Sequence, residues 1–440
     1  MSEERSFYWG GCDVLSLAAE YGTPLYVYDE EALRTACREY RRVFEAEFPD
    51  CVVAYAAKAF WCKAMAQLVH EEGLHVDVVS GGEIHIGLAA GFPAQHMIFH
   101  GNNKTATELR MALLAGVGRI VVDNLDELEL LSELCQATGK KARVLLRVVP
   151  GVRAETHEFI QTGQRGSKFG LPWDDGSAFA AIRRVVADPH LSFLGLHCHL
   201  GSQILNTAPF EEAARVMAGF VRELRDSGFE VLDLNLGGGL GVSHVPEERP
   251  ASVEEMARAL AQGLAELPRS MWPRVIVEPG RSIVGQAGIT LYTVGAVKRR
   301  DGEGYYVAVD GGMGDNLRPM LYGARYEALV ANRVTEEATR EYTIVGKYCE
   351  SSDVLVEKVK LPPMRRGDIL VIPATGAYAY AMANVYNGNP RAAVVFARAG
   401  RANLVVRRET YEDLLARDLG LTKGERFTSN VGRGTRAAGN

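Results

Sequence analysis

The sequence predicts an α/β architecture: a (β/α)8 barrel followed by a mainly antiparallel β-domain of the Greek-key barrel or sandwich type. Three observations predict it. The chain has 440 residues, too many for one ordinary domain. Between residues 51 and 278, short apolar runs alternate with helical patterns. Beyond residue 285, strand-like runs recur without long helices between them.

The first set of runs is CVVAYAA (51–57), HVDVV (75–79), HMIFH (96–100), RIVVD (119–123), ARVLLRVV (142–149), LSFLGLHCHL (191–200), VLDLNL (231–236) and RVIVE (274–278). Mostly apolar runs of this length suit strands covered on both faces, hence a parallel sheet. The segments between them include WCKAMAQLVHEEG, ELRMALLAGVG, ELELLSELCQATG and EEAARVMAGFVRELRDSG, which carry helical periodicity. Eight strands within about 230 residues meet the requirement of a closed barrel. The helical pattern EEALRTACREYRRVFEAEF, before the first run, belongs on the barrel's outside. The connection PGVRAETHEFIQTGQRGSKFG is long, polar and glycine-containing, which marks a functional or mobile loop.

The second set is ITLYTVGAVKR, GYYVAVDGG, YTIVGKYC, DVLVEKVKL, DILVIP, RAAVVFAR and ANLVVRR, with turn residues in RRDGEG and RRGD. An earlier run, TPLYVYD (23–29), is expected to join these strands. The expected organisation is 1–30 as a segment joining the β-domain, 31–285 as the barrel and 286–423 as the β-domain. Residues 424–440 lack periodicity and are expected to be disordered.

At 47% hydrophobic and 24% charged residues, the composition is that of a globular protein with an ample core. A net charge of −6 and the lack of a long basic run argue against nucleic acid or a membrane surface as main partner. No run approaches a membrane span. The segment MSEERSFYWGGCDV has no apolar h-region. Cys12, Cys37, Cys51, Cys62, Cys135, Cys198 and Cys349 are scattered and form no CxxC pair, as in a reduced, cytoplasmic chain.

A (β/α)8 barrel keeps its chemistry at the C-terminal ends of its strands. Those positions hold Lys58, Ser80 with Gly81 and Gly82, His100, Asp123 and Asn124, Arg147, His199, Gly237 to Gly239, and Glu278. Lys58 could be a surface lysine closing a strand. Desolvated at the barrel mouth, it would have a lowered pKa and act as an amine nucleophile. LNLGGGLG (234–241) could be a flexible turn or a backbone nest for a phosphate, and the usual phosphate site of such barrels follows strands seven and eight. In EPGR (278–281), Glu278 and Arg281 could form a structural ion pair. Alternatively, Glu278 could hold a pyridine nitrogen protonated, and Arg281 could grip a carboxylate. His197 and His199 share a strand face. A metal pair would need further ligands, and none has recognisable spacing, so a core or ring-stacking histidine is preferred. Cys349 alone reads as a buried structural cysteine; with Glu350 and Asp353 beside it, it becomes a candidate acid.

Taken together, these pieces resemble the fold-type III pyridoxal-phosphate decarboxylases, and among them the diaminopimelate decarboxylases. The resemblance spans residues 20 to 410. It rests on YAAKAF (55–60), DVVSGGE (77–83), HGNNK (100–104), TGQRGSKFG (162–170), HCHLGSQ (197–203), LGGGLG (236–241), EPGR, DGGMGDNLRPMLYGA (310–324), CESSD (349–353) and GAY (376–378). GKYCESSD and YNGNPR (386–391) depart slightly from common versions, but Cys349 and Glu350 are kept.

The resemblance implies pyridoxal 5'-phosphate as cofactor and an amino acid as substrate. Lys58 would bind the cofactor covalently, His199 would stack on its ring, and Glu278 would face the ring nitrogen. Ser202, Gly238, Gly239, Gly280, Arg281 and Tyr378 would surround the phosphate. Arg281, Arg318, Tyr322, Tyr378 and Glu350 would hold the substrate. Cys349 would return a proton, reaching the site from the other subunit of a homodimer. The implied reaction is decarboxylation of meso-2,6-diaminopimelate to L-lysine. The alternatives are the same chemistry on ornithine, arginine or lysine, a racemase, a metal-dependent barrel hydrolase, and a non-catalytic binding homologue. Glu278 as a strong partner for the ring argues against a racemase, and the retention of Lys58 and Cys349 argues against a non-catalytic homologue.

Overall fold

A computed structural model of the chain describes residues 7–152, 167–299 and 304–421. Residues 162–166 of the glycine-containing connection and the segment 424–440 lie outside the described residues.

Eight parallel strands form the barrel: β1 Cys51–Ala56, β2 His75–Val78, β3 Met97–Phe99, β4 Arg119–Val122, β5 Ala142–Val149, β6 Leu191–His197, β7 Asp233–Asn235 and β8 Arg274–Val277. Each pairs with the next, and β8 closes on β1. Every expected run contains one strand. Most strands end one residue early, where polar side chains turn into the barrel mouth. The β5–β6 pair carries a bulge at Gly195. A Cβ there would lie 1.8 Å from the Asp233 carbonyl oxygen, so only glycine lets β6 approach β7.

Seven helices connect the strands among the described residues: Lys63–Glu71, Gly81–Ala89, Ala106–Ala115, Leu125–Thr138, Ser177–Ala187, Ala208–Asp226 and Val253–Leu264. Capping explains several of their starts. Ser80 and Asn124 accept from backbone N–H groups of the first turn, and Thr105 and Ser252 form full capping boxes. The helix Glu30–Glu47 packs on Val253–Leu264 and β1, taking the eighth place in the ring. Arg34 and Arg38 of that helix grip the buried Glu72 at 2.8–2.9 Å.

Alternation along the strands sorts the side chains. Val53, Tyr55, Val76, Val78, Val275 and Val277 face outward, into the layer between strands and helices. Ala54, Ile98, Val121, Leu145, Leu194 and Ile276 face inward and form an apolar plug across the barrel. Below the plug, buried Arg119 donates to Asp233 at 2.7 Å, and Arg274 comes within 3.6 Å of the same carboxylate. Above it lie buried Asp77, His100, Arg147, His197, Asn235 and Glu278.

The β-domain comprises β9 Gly288–Arg299, β10 Tyr305–Val309, β11 Arg340–Val345, β12 Val354–Leu361, β13 Ile369–Ile372, β14 Ala393–Arg398 and β15 Arg401–Val406. These are the seven expected runs, and most pairings are antiparallel. The early strand Leu25–Asp29 lies between β9 and β14, antiparallel to the first and parallel to the second. Tyr28 of that strand stacks on Phe60, two residues beyond Lys58, with ring centroids 4.3 Å apart. Phe396 and Tyr380 pack against the same Phe60 ring. The barrel core and the β-domain therefore share one apolar cluster at this junction.

Arg119→Ala would leave Asp233 buried with only the longer Arg274 contact. The expected loss is about 3 kcal/mol of unfolding free energy, read by urea titration. A loss below 1 kcal/mol would mean that water or Arg274 takes over the role.

Candidate active site

The strand ends above the plug open into a cavity of about 500 Å3, lined by Lys58, His100, Arg147, His199, Glu278 and Arg281 among others. Lys58 sits on a 3-10 turn, Ala57–Ala59, directly after β1. The turn is held from the β-domain side, because the Tyr378 N–H donates to the Ala59 carbonyl at 2.8 Å. The Lys58 ammonium donates to Asp77 at 2.8 Å, and Asp77 is almost fully buried. Burial pushes the Lys58 pKa down, as expected from the sequence. The Asp77 carboxylate, with Tyr378 and Glu278 behind it, outweighs burial, and the net shift is upward. The expectation of a lowered pKa is therefore corrected: Lys58 is stored as a cation on Asp77.

Glu278 is the centre of the cavity floor. Asn235 donates to one of its oxygens at 2.6 Å, His100 Nε2 lies 2.8 Å from the same oxygen, and His197 Nε2 lies 3.4 Å from the other. Burial favours the neutral acid, but His100 and His197 reverse this and hold Glu278 well below the usual carboxylate range. Burial drives His197 itself down to about 3, so it serves as a neutral donor. His100, His197 and Glu278 bring three ligand atoms within 4.8 Å of one another. The histidine that joins His197 is thus His100, contributed by another strand end, and not His199.

His199 turns toward the glycine run. The Gly238 N–H donates to its Nδ1 at 3.2 Å, which leaves the ring proton on Nε2. Burial holds this imidazole neutral, well below the usual histidine range. The glycines are required by backbone packing. A Cβ on Gly238 would lie 2.0 Å from the Glu278 carbonyl oxygen, and one on Gly239 would lie 2.7 Å from that of Gly201. Gly280 lets its turn approach β1, because a Cβ there would press on Ala56 and Ala59.

Arg281 opens the short helix Arg281–Val284 and is buried. Two of its N–H groups donate to Ser202 Oγ at 3.2 and 2.9 Å, and its plane covers the Tyr378 ring at 4.7 Å. The structural reading of EPGR as an ion pair is corrected: Glu278 bonds Asn235 and approaches the histidines, whereas Arg281 pairs with no carboxylate among the described residues. Its Nη1 has no hydrogen-bond partner among the described residues. Burial, then repulsion from Arg318, pushes Arg281 down to about 10. A buried guanidinium with an unused N–H group requires an anion.

Tyr322 lines the cavity. Arg318 is buried one turn earlier on the helix Arg318–Tyr322. Cys349 and Glu350 are both exposed, and neither lines the cavity within one chain. The bland expectation that Cys349 is a buried structural cysteine is corrected; Cys12, Cys37, Cys62, Cys135 and Cys198 are the buried fillers. Ser80 and Asn124, both flagged as strand-end positions, are helix caps.

Sequence reasoning passed over Asp77 and Asn235. The signal was present: each is a polar residue inside a short apolar strand, on the inward alternation frame that also carries Lys58's neighbours. In Asp77→Asn, burial acts on Lys58 without the opposing charge. The pH at which Lys58 becomes reactive toward an amine-acylating reagent, followed by mass spectrometry of the cofactor-free protein, is expected to fall below that of the wild type. An unchanged profile would remove Asp77 as the cause of the raised value.

A sequence profile described as pyridoxal-dependent decarboxylase, pyridoxal binding domain, matches residues 33–285. Diaminopimelate decarboxylase of Bacillus subtilis (strain 168) is 49% identical over 419 residues, covering 94% of this chain and 95% of the relative. That of Mycobacterium tuberculosis (strain H37Rv) is 43% identical, covering 92% and 93%. Among solved structures, diaminopimelate decarboxylase from M. jannaschii in co-complex with L-lysine superposes with a TM-score of 0.90 at 36% identity, covering 95% of this chain and 97% of that one. The Helicobacter pylori enzyme complexed with L-lysine gives 0.85 at 30%, covering 92% and 98%. The residues present fit the cofactor that this family carries: a lysine amine, an anionic buried carboxylate for a ring nitrogen, and an uncompensated arginine beside Ser202 for a phosphate. The chain belongs to the pyridoxal-dependent decarboxylases, in their diaminopimelate decarboxylase branch, and is a carboxy-lyase whose cofactor is pyridoxal 5'-phosphate.

Proposed function

We propose that the chain decarboxylates meso-2,6-diaminopimelate at its D-centre to give L-lysine and carbon dioxide, as the last step of lysine biosynthesis. The observation that carries the substrate choice is Arg318, a buried guanidinium that no carboxylate meets among the described residues, one turn from the cavity-lining Tyr322. A second carboxylate distinguishes diaminopimelate from ornithine, arginine and lysine. An unpaired buried cation favours the ligand that brings one.

When bound, pyridoxal phosphate supplies an electron sink for the pair left as the carboxylate departs. Lys58 would hold it covalently, with His199 on its ring and Glu278 at its ring nitrogen. Ser202, Gly238, Gly239, Gly280, Arg281 and Tyr378 would surround its phosphate. Glu278 keeps its negative charge because Asn235, His100 and His197 surround its oxygens. Asp77, 2.8 Å from the Lys58 ammonium, would hold that amine when it is not bound to the cofactor. Arg281, Arg318, Tyr322 and Tyr378 would orient the substrate, whose distal L-centre would meet Arg318.

Cys349 would return the proton and Glu350 would meet the distal ammonium, both from the partner subunit of a homodimer. Three facts support a shared site. Both residues are exposed, Cys349 bonds through its N–H to Asn387, and the adjacent Val385 and Tyr386 expose apolar surface. The cytoplasm is the proposed compartment, given seven free cysteines.

Borohydride treatment of the purified holoenzyme is expected to attach the cofactor to Lys58, as read by peptide mass. Side-by-side assays are expected to favour meso-diaminopimelate over ornithine, arginine and lysine; equal turnover of lysine would overturn the substrate assignment. Lys58→Ala and Cys349→Ala are each expected to be inactive alone. Mixing the two after reversible dissociation is expected to restore turnover, because one hybrid site then holds both wild-type groups. No recovery from a demonstrated heterodimer would place Cys349 outside a shared site.

A further inference from the structure

The loop after β7 contains His244, whose ring none of the preceding roles uses. It is buried and lies between two structural units: the barrel loop that carries it and the helix Arg318–Tyr322 of the β-domain. Its Nε2 is 2.9 Å from Arg318 Nη1. Arginine only donates, so Nε2 is the acceptor and the ring proton sits on Nδ1. Nδ1 faces Glu248 at 3.5 Å, and the same Glu248 oxygen accepts the His244 backbone N–H at 2.7 Å. Gln203 Nε2, 3.2 Å from Nδ1, already donates to the Val242 carbonyl at 2.6 Å. Tyr326 sets the ring edge-on at 5.2 Å and also receives an Arg318 N–H. Arg318 Nε keeps no hydrogen-bond partner among the described residues.

We propose that His244 is a positioning residue that aims Arg318 at the substrate's distal carboxylate while leaving its charge uncancelled. The proposal rests on the reading of Arg318 as a substrate-binding group. A guanidinium buried this deeply needs a fixed acceptor to hold one rotamer. A carboxylate in that place would fix it equally well, but it would also neutralise it, and the substrate would then compete with a built-in anion. The imidazole supplies an acceptor without a charge. Burial, with the Arg318 and Arg281 charges, pushes His244 down to about 3, so it stays neutral through the working pH range. The neutral phenol of Tyr326 is the second acceptor on the same guanidinium. Both partners hold the group and neither cancels it.

The test compares three variants of the holoenzyme. Readouts are KM and kcat for meso-diaminopimelate and the Kd of L-lysine, which has the same L-centre. In His244→Ala, Arg318 loses its fixed acceptor. KM and Kd are expected to rise roughly tenfold or more, with kcat changed by less than about threefold, as for loss of one charge-assisted hydrogen bond. In His244→Gln, the amide oxygen replaces Nε2 and both constants are expected to return toward wild type. In His244→Glu, the acceptor is present but charged. KM and Kd are expected to rise at least as far as in His244→Ala. Wild-type constants in His244→Ala would overturn the positioning role. Equal constants in the Gln and Glu variants would overturn the requirement for neutrality, and that pair decides the matter even where the Ala variant fails to fold. A wild-type enzyme that does not turn over meso-diaminopimelate would instead sink the reading of Arg318 and the substrate with it.

Discussion

Alternation on a closed parallel barrel forces every second side chain toward one axis, where it has to be satisfied by other strands. This chain meets that constraint in levels. Arg119 and Asp233 neutralise one another at the bottom, and a plug of six aliphatic residues seals the middle. The polar level above it is therefore cut off from water on one side and opens only to the cavity. Glu278, Asp77, His100, His197 and Asn235 act in this one-sided medium, where a fixed dipole or charge carries more weight than it would in solvent.

Charge in the cavity is divided between groups that are already compensated and groups that are not. Lys58 rests on Asp77, and Glu278 rests on Asn235, His100 and His197. Arg281 and Arg318 are held by Ser202, Tyr378, His244 and Tyr326, none of which carries negative charge. The first set sets protonation states in advance. The second set leaves two anion sites whose occupation comes from small molecules.

The barrel and the strands of the β-domain, though not their order in the sheet, were largely legible, because the runs are short, apolar and separated by clear helical or turn signals. Lys58, Glu278, His199 and Arg281 were legible for the same reason: each stands just beyond a strand end. What one chain hides is distance across the fold. Nothing in HVDVV says that Asp77 meets a lysine nineteen residues earlier, and nothing in GVSH says that His244 meets Arg318 across 74 residues. The pKa of Lys58 was misjudged for this reason: burial can be read from a strand, but the partner that overrides it lies on the next one. Cys349 and Glu350 were identified by motif alone, and their exposure on a single chain shows why local pattern could not place them.

The strand Leu25–Asp29 has one further consequence. It is made before both of its neighbours in the sheet, β9 and β14, the latter more than 360 residues further along the chain, as the Arg398–Glu30 contact records. During synthesis this strand has no permanent pairing partner until β9 has been made, and until then its Tyr26 and Tyr28 stay available to any other unpaired edge. The turn that carries Lys58 runs into Phe60, which stacks on Tyr28, and its Ala59 carbonyl accepts from the Tyr378 N–H, so its setting is completed only when the β-domain is in place. The lysine is made early, but the turn that carries it is completed by segments made after the barrel.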